Sequence, residues 1–116
     1  MNENTTSGNT VKAEIQLPSH YLDSVVVRAL PYVRNEEEFR KCVEIVISDI
    51  EDTNLYVGKH PKGMVGGAVY YVLSKLNIAG YGDVTQAEIA DWAGVSPLTI
   101  RENERRIQNH RSSMKD

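Results

Sequence analysis

The positions Leu22, Val25, Val26 and Ala29 recur at helical spacing, and Pro31 closes the run. They predict a first helix from Ser19, the expected N-cap, to about Leu30. A longer stripe follows, in which Phe39, Cys42, Val43, Val46, Ile47 and Ile50 fall at i, i+3, i+4, i+7, i+8 and i+11. That is one face of an amphipathic helix of about five turns. Asn35 and Glu38 form an N-x-x-E start for it. Glu36, Glu37 and Glu38 fill its first turn, where the helix dipole favours anions.

A third helix opens near Pro61 and runs to about Leu76. Gly63, Gly66, Gly67 and Ala68 lie within it, and each glycine costs about 1 kcal/mol relative to alanine in a helix interior. Close approach of a neighbouring helix backbone is the physical reason to keep them. Met64, Val65, Val69, Val72, Leu73 and Leu76 surround this smooth surface, so the third helix should be the central, most buried one. The segment "NIAGYGD" at 77–83 reads as a loop.

Thr85 and Glu88 make a T-x-x-E capping box for a fourth helix with Ile89, Ala90 and Ala93 inward. Ala90 is small because the next helix crosses close over it. Gly94 leaves that helix in the left-handed conformation that only glycine adopts cheaply. Ser96 then caps a fifth helix with Pro97 at its first position, where a missing N–H costs nothing. Ile100 and Ile107 are its core anchors. No stretch alternates with period two. The expected architecture is an all-α, five-helix domain over 18–109, with a disordered arm at 1–17 and a flexible tail at 110–116.

Counted from Gln86, the residues at steps 1, 5, 9 and 15 are Gln86, Ala90, Gly94 and Ile100. That combination, with two matching caps, is the pattern of a DNA-binding helix-turn-helix, here over 85–108. With Ile100 and Ile107 inward, Leu98, Arg101 and Arg105 face outward and Glu102 lies at the edge. Arg101 and Arg105 are one turn apart and can reach guanine edges or phosphates. Arg106, His110, Arg111 and Lys115 extend a basic end. The candidate DNA-binding residues are therefore Ser96, Pro97, Leu98, Thr99, Arg101, Glu102, Arg105 and Arg106.

Composition qualifies that picture. The 116 residues suffice for one core, and the net charge of −3 argues against strong autonomous DNA binding. From Val95 to Asp116, however, five Lys/Arg stand against three Asp/Glu, a local balance of +2. No apolar run approaches the length of a membrane span. Cys42 is the only cysteine, which excludes an internal disulfide, and its place on an apolar stripe is that of a small buried hydrophobe. His20, His60 and His110 are far apart, so no metal is expected.

"GKHPKG" at 58–63 has the wrong spacing for a phosphate loop, and no strand precedes it. No nucleophile and base are grouped by any motif. An enzyme, a cofactor and a small-molecule substrate are all unexpected.

The combination of "HPKGMVGGAVYYV" and "TQAEIADWAGVSPLTIRE" resembles the second cyclin-like repeat of the general transcription factor IIB family, above all archaeal transcription factor B. The resemblance spans about Pro18 to Ile107. Pro61, Gly63, Met64, Gly67, Ala68 and Tyr70 stand at places comparable to the family's P-x-G-L-A-x-A-A-x-Y-like third-helix motif. Thr85, Gln86, Glu88, Ile89, Ala90, Ala93, Val95, Ser96, Thr99, Ile100 and Arg101 match its T-Q-x-E-V/I-A-x-x-A-x-V-S/T-x-V-T-V/I-R.

The resemblance implies a five-helix cyclin-like fold ending in a helix-turn-helix. The last helix would lie in the major groove upstream of a TATA box, with double-stranded promoter DNA and the TATA-binding protein as candidate partners. Its base-reading valine and arginine fall on Leu98 and Arg101. It further implies a cytoplasmic, nucleoid-associated protein.

The departures from the family are specific. There is no zinc ribbon, polymerase-reaching linker or first repeat, so recruitment of polymerase by the family's usual route is not expected, and the chain would be a stand-alone regulator or a fragment of a longer initiation factor. After Arg101 the family continues N-R-Y-K/R-E-L. Here Glu102 replaces a neutral residue near DNA, and Glu104 replaces an inward aromatic. An alternative is a protein-interaction adaptor of cyclin-like fold, with the acidic second helix as its working face.

Overall fold

The computed structural model describes residues 16–75 and 84–114. They form α1 (Leu22–Ala29), α2 (Glu36–Asp52), α3 (Pro61–Lys75), α4 (Gln86–Ala93) and α5 (Pro97–Met114). Short 3-10 turns at Pro18–Tyr21 and Leu30–Tyr32 flank α1, and there is no strand element among the described residues. The arm up to residue 15, the loop over 77–83 and the last two residues lie outside the described residues. No helix among the described residues is long and apolar enough to cross a membrane.

Local chemistry sets most of the helix ends. The Asn35 side chain accepts from the Glu38 N–H at 3.0 Å and starts α2. The chain leaves α2 through Asn54 at φ 61, with the Leu55 N–H on the Ile50 carbonyl at 3.0 Å. This is a Schellman ending, in which asparagine takes the left-handed position glycine usually fills. Thr85 and Glu88 exchange both hydrogen bonds of a capping box at the start of α4.

Two expected boundaries are corrected. Ser19 caps nothing: it sits inside the first 3-10 turn, and α1 begins three residues later with no side-chain cap. Its backbone N–H donates instead to Glu51 Oε2 at 2.7 Å, at the far end of α2. That carboxylate lies near a helix C-terminus, where the dipole disfavours it, and the donor offsets the cost. The second correction concerns the tail. Helix α5 continues to Met114, through residues expected to be flexible. The anchor is Asp49 of α2, whose Oδ2 lies 3.4 Å from Arg111 Nη1 and 3.7 Å from His110 Nε2.

Helix α3 packs against all four other helices. Met64, Val65, Ala68, Val69 and Val72 are fully buried within it. Around it close Val25 and Val26 of α1, Phe39, Val43, Val46 and Ile47 of α2, Ile89 of α4, and Ile100 and Ile107 of α5. Cys42 is only half-buried and packs against this core as a free thiol.

The glycines of α3 decide how α5 docks. A Cβ on Gly67 would lie 2.7 Å from Asn103 Cβ and 3.1 Å from the backbone of Asn103 and Glu104. A Cβ on Gly66 would meet Ile100 Cδ1 at 2.5 Å, and one on Gly63 would meet Thr99 Cγ2 at 3.0 Å. Further along, the Arg111 guanidinium lies 5.7 Å from the Tyr71 ring centroid. The pairs 63–99, 67–103 and 71–111 rise together, so α3 and α5 run in the same direction with their N-termini at one end. The expected close approach of a neighbouring backbone is the approach of α5.

Candidate nucleic-acid interface

The candidate site is built by the corner between α4 and α5. Gly94 leaves α4 at φ 70, ψ 34, and the Val95 N–H returns to the Ala90 carbonyl at 3.0 Å. Nothing lies within 4 Å of where a Gly94 Cβ would stand. Glycine is therefore required by backbone conformation and not by space. Ser96 Oγ accepts from the Thr99 N–H at 3.2 Å and lies 3.0 Å from Thr99 Oγ1. With Pro97 at the first position, the capping that starts α5 is complete.

Successive residues of a helix advance by about 100°. Ile100, Asn103, Glu104 and Ile107 are buried, so the opposite ridge of α5 runs through Leu98, Glu102, Arg105 and Asn109, all exposed. Leu98 is 49% exposed and gives the ridge an apolar group at its leading end. Arg101 is exposed on one flank of the ridge. Among the described residues neither Arg101 nor Arg105 forms an ion pair. Ser96 and Pro97 are exposed at the leading end, while Thr99 is half-buried against Gly63.

Three sequence expectations change here. Glu102 is on the crest of the ridge and not at its edge, with Leu98 one turn behind and Arg105 and Arg106 ahead. Arg106 is half-buried, and its Nη1 donates to Asn103 Oδ1 at 2.7 Å, holding it beside the helix it belongs to. The basic end is dismantled as well: His110 and Arg111 turn inward to Asp49. Lys115 lies outside the described residues. Among the described residues, the exposed cationic groups of α5 are Arg101 and Arg105, with a carboxylate next to them.

Glu104 does face inward. It is 8% exposed, and its Oε2 is buried without a hydrogen-bond partner among the described residues. Asn103 Nδ2 is buried and unpartnered in the same way.

Sequence reasoning about α4 and α5 missed a second group of hydrogen-bond donors at this corner. Lys62 and His60, at the start of α3, line a cleft of about 290 Å³ together with Gln16, Tyr21, Pro61, Ala93 and Gly94. The residues were visible in "GKHPKG", but nothing in their spacing connects them to a corner more than thirty positions later. A second groove, of about 340 Å³, opens between the start of α1 and α2 and has the opposite character. Asp23, Glu44 and Glu51 line it with Ser19, Leu22, Ile47 and Ser48.

No protein-family model, curated protein or solved structure matches the chain.

Proposed function

We propose that the chain is a DNA-binding transcription factor module. Its helices would be a cyclin-like domain ending in a helix-turn-helix, with α5 lying in the major groove of double-stranded promoter DNA beside a TATA box. The observation that carries the proposal is the outward ridge of α5. It joins an exposed Leu98 to Arg101 and Arg105, on a helix that leaves a glycine-ended corner with both caps in place. Leucine offers an apolar contact to a thymine methyl, and arginine offers a bidentate donor pair to guanine. Among the described residues, Arg101 and Arg105 are the exposed cations of this ridge, with one crest carboxylate beside them. Binding should therefore be weak alone and tighter beside a partner already on the DNA, for which the TATA-binding protein is the candidate.

The test is fluorescence anisotropy of a labelled duplex carrying a TATA box and its upstream flank. Titrations at two salt concentrations, with and without the TATA-binding protein, would include Arg101→Ala. The expected result is salt-dependent binding that the variant loses by about 1–3 kcal/mol. Equal affinity with and without the partner removes the partner from the proposal. No binding in any condition removes DNA.

A protein-interaction adaptor is the second reading. The observation favouring it is the groove whose rim carries Asp23, Glu44 and Glu51 above apolar Leu22 and Ile47. Its ligand would be a basic peptide, and its signature would be binding that survives Arg101→Ala.

A further inference from the structure

The N-terminal end of α3 stands beside the N-terminal end of α5, and its side chains are of the sort that grip phosphate. The point where a Gly63 Cβ would stand is 3.0 Å from Thr99 Cγ2 on α5 and 3.6 Å from His60 Cβ before α3. His60 is thus a neighbour of the residue that follows Leu98. Its Nδ1 accepts from the Gly63 N–H at 3.4 Å, and the residue is exposed, which leaves Nε2 as the ring nitrogen available to a ligand. Lys62 lies on the same edge, its Nζ 5.6 Å from the Tyr21 ring centroid. A cation over an aromatic face is held in position while its N–H donors remain available. Among the described residues, the cleft these groups share with Ala93 and Gly94 has no carboxylate in its lining, in a chain of net charge −3. The groove beyond α2 has three.

We propose that Lys62 and His60 form a phosphate clamp: a second contact that takes the DNA backbone next to the groove entered by α5. The clamp rests on the DNA-binding proposal above and adds to it a residue-level partner, the phosphodiester backbone flanking the bases read by Arg101. Contacts of this kind fix register and orientation without reading sequence. They also supply what the ridge lacks, because Glu102 offsets part of the charge of Arg101 and Arg105. Lys62 contributes a full charge, and His60 contributes an Nε2 donor.

The experiment measures duplex affinity as a function of salt for the full chain and for Lys62→Gln, His60→Gln and Lys62→Arg. Two duplexes are used, the promoter duplex and one of scrambled sequence. Lys62→Gln is expected to weaken binding severalfold on both duplexes alike and to lower the salt slope by about one. Lys62→Arg should restore the slope. His60→Gln should weaken both duplexes alike, since it removes the Nε2 donor. Thermal melting of each variant, expected to match the parent, separates loss of a contact from loss of fold.

The clamp is overturned if Lys62→Gln leaves affinity and slope unchanged while Arg101→Ala still weakens binding. In that case the DNA proposal stands without it. If the parent binds neither duplex at any salt, the DNA proposal falls and the clamp falls with it.

Discussion

Gly67 of α3 and Asn103 of α5 touch so closely that a methyl group on the glycine would lie 2.7 Å from the asparagine Cβ. The obstacle includes backbone of α5, at 3.1 Å, which cannot rotate away as a side chain can. The contact therefore sets the spacing of the two helices and, through it, the position of the outward ridge.

Gly67→Ala should lower stability by about 1–3 kcal/mol, the usual cost of overpacking, although alanine is the better helix former by about 1 kcal/mol. Gly94→Ala should cost about 1–2 kcal/mol for a different reason, the left-handed backbone. Urea denaturation of the two variants checks this. Parent-like stability in Gly67→Ala would mean that α5 can slide outward at no cost.

Glu104 is buried with one carboxylate oxygen unpartnered among the described residues. Replacing a buried polar group that lacks partners by an apolar one of similar size is neutral or stabilising. Glu104→Leu should therefore stabilise the fold by about 1–3 kcal/mol, raising Tm by several degrees. A lower Tm would show that the carboxylate has a partner the packing does not reveal. Duplex affinity should not change in either event, since Glu104 faces away from the ridge.

Glu102 on the crest of α5 puts a negative charge between Leu98 and Arg105. Removing it in Glu102→Gln should raise duplex affinity severalfold at low salt, with the gain shrinking as screening increases. Anisotropy at two ionic strengths reads both effects. A fall in affinity specific to one sequence would instead assign the carboxylate to a cytosine amino group.

Asp49 ties the last turns of α5 to α2 through Arg111, with His110 Nε2 buried nearby at 3.7 Å and without a hydrogen-bond partner among the described residues. Asp49→Ala should cost about 1 kcal/mol or less overall, as partly exposed pairs do. Its sharper consequence is local. Amide protons from His110 to Met114 should lose protection from exchange while those around Ile100 and Ile107 keep it. Uniform loss along α5 would make Asp49 a determinant of the whole helix.

The sequence by itself determined the features whose physics is local. Asn35 with Glu38, Thr85 with Glu88, and Ser96 with Thr99 are each three residues apart, so a cap and its partner can be read in one glance at the chain. Gly94 and Pro97 carry their conformational preferences with them. The glycine stripe of α3 announced a close approach, and the apolar periodicities announced five helices.

Tertiary structure alone decided what that approach met and which cations stayed free. Arg111 reaches an aspartate 62 positions away, and the Ser19 N–H reaches a glutamate 32 positions away. Lys62 and His60 join the α5 corner only because α3 and α5 run in the same direction. A periodic pattern fixes which face of a helix is buried, but it has no information on which distant charge comes to rest against that helix. That depends on the crossing of helices, and here the crossing is set by glycines whose missing side chains leave room for Asn103 and Ile100.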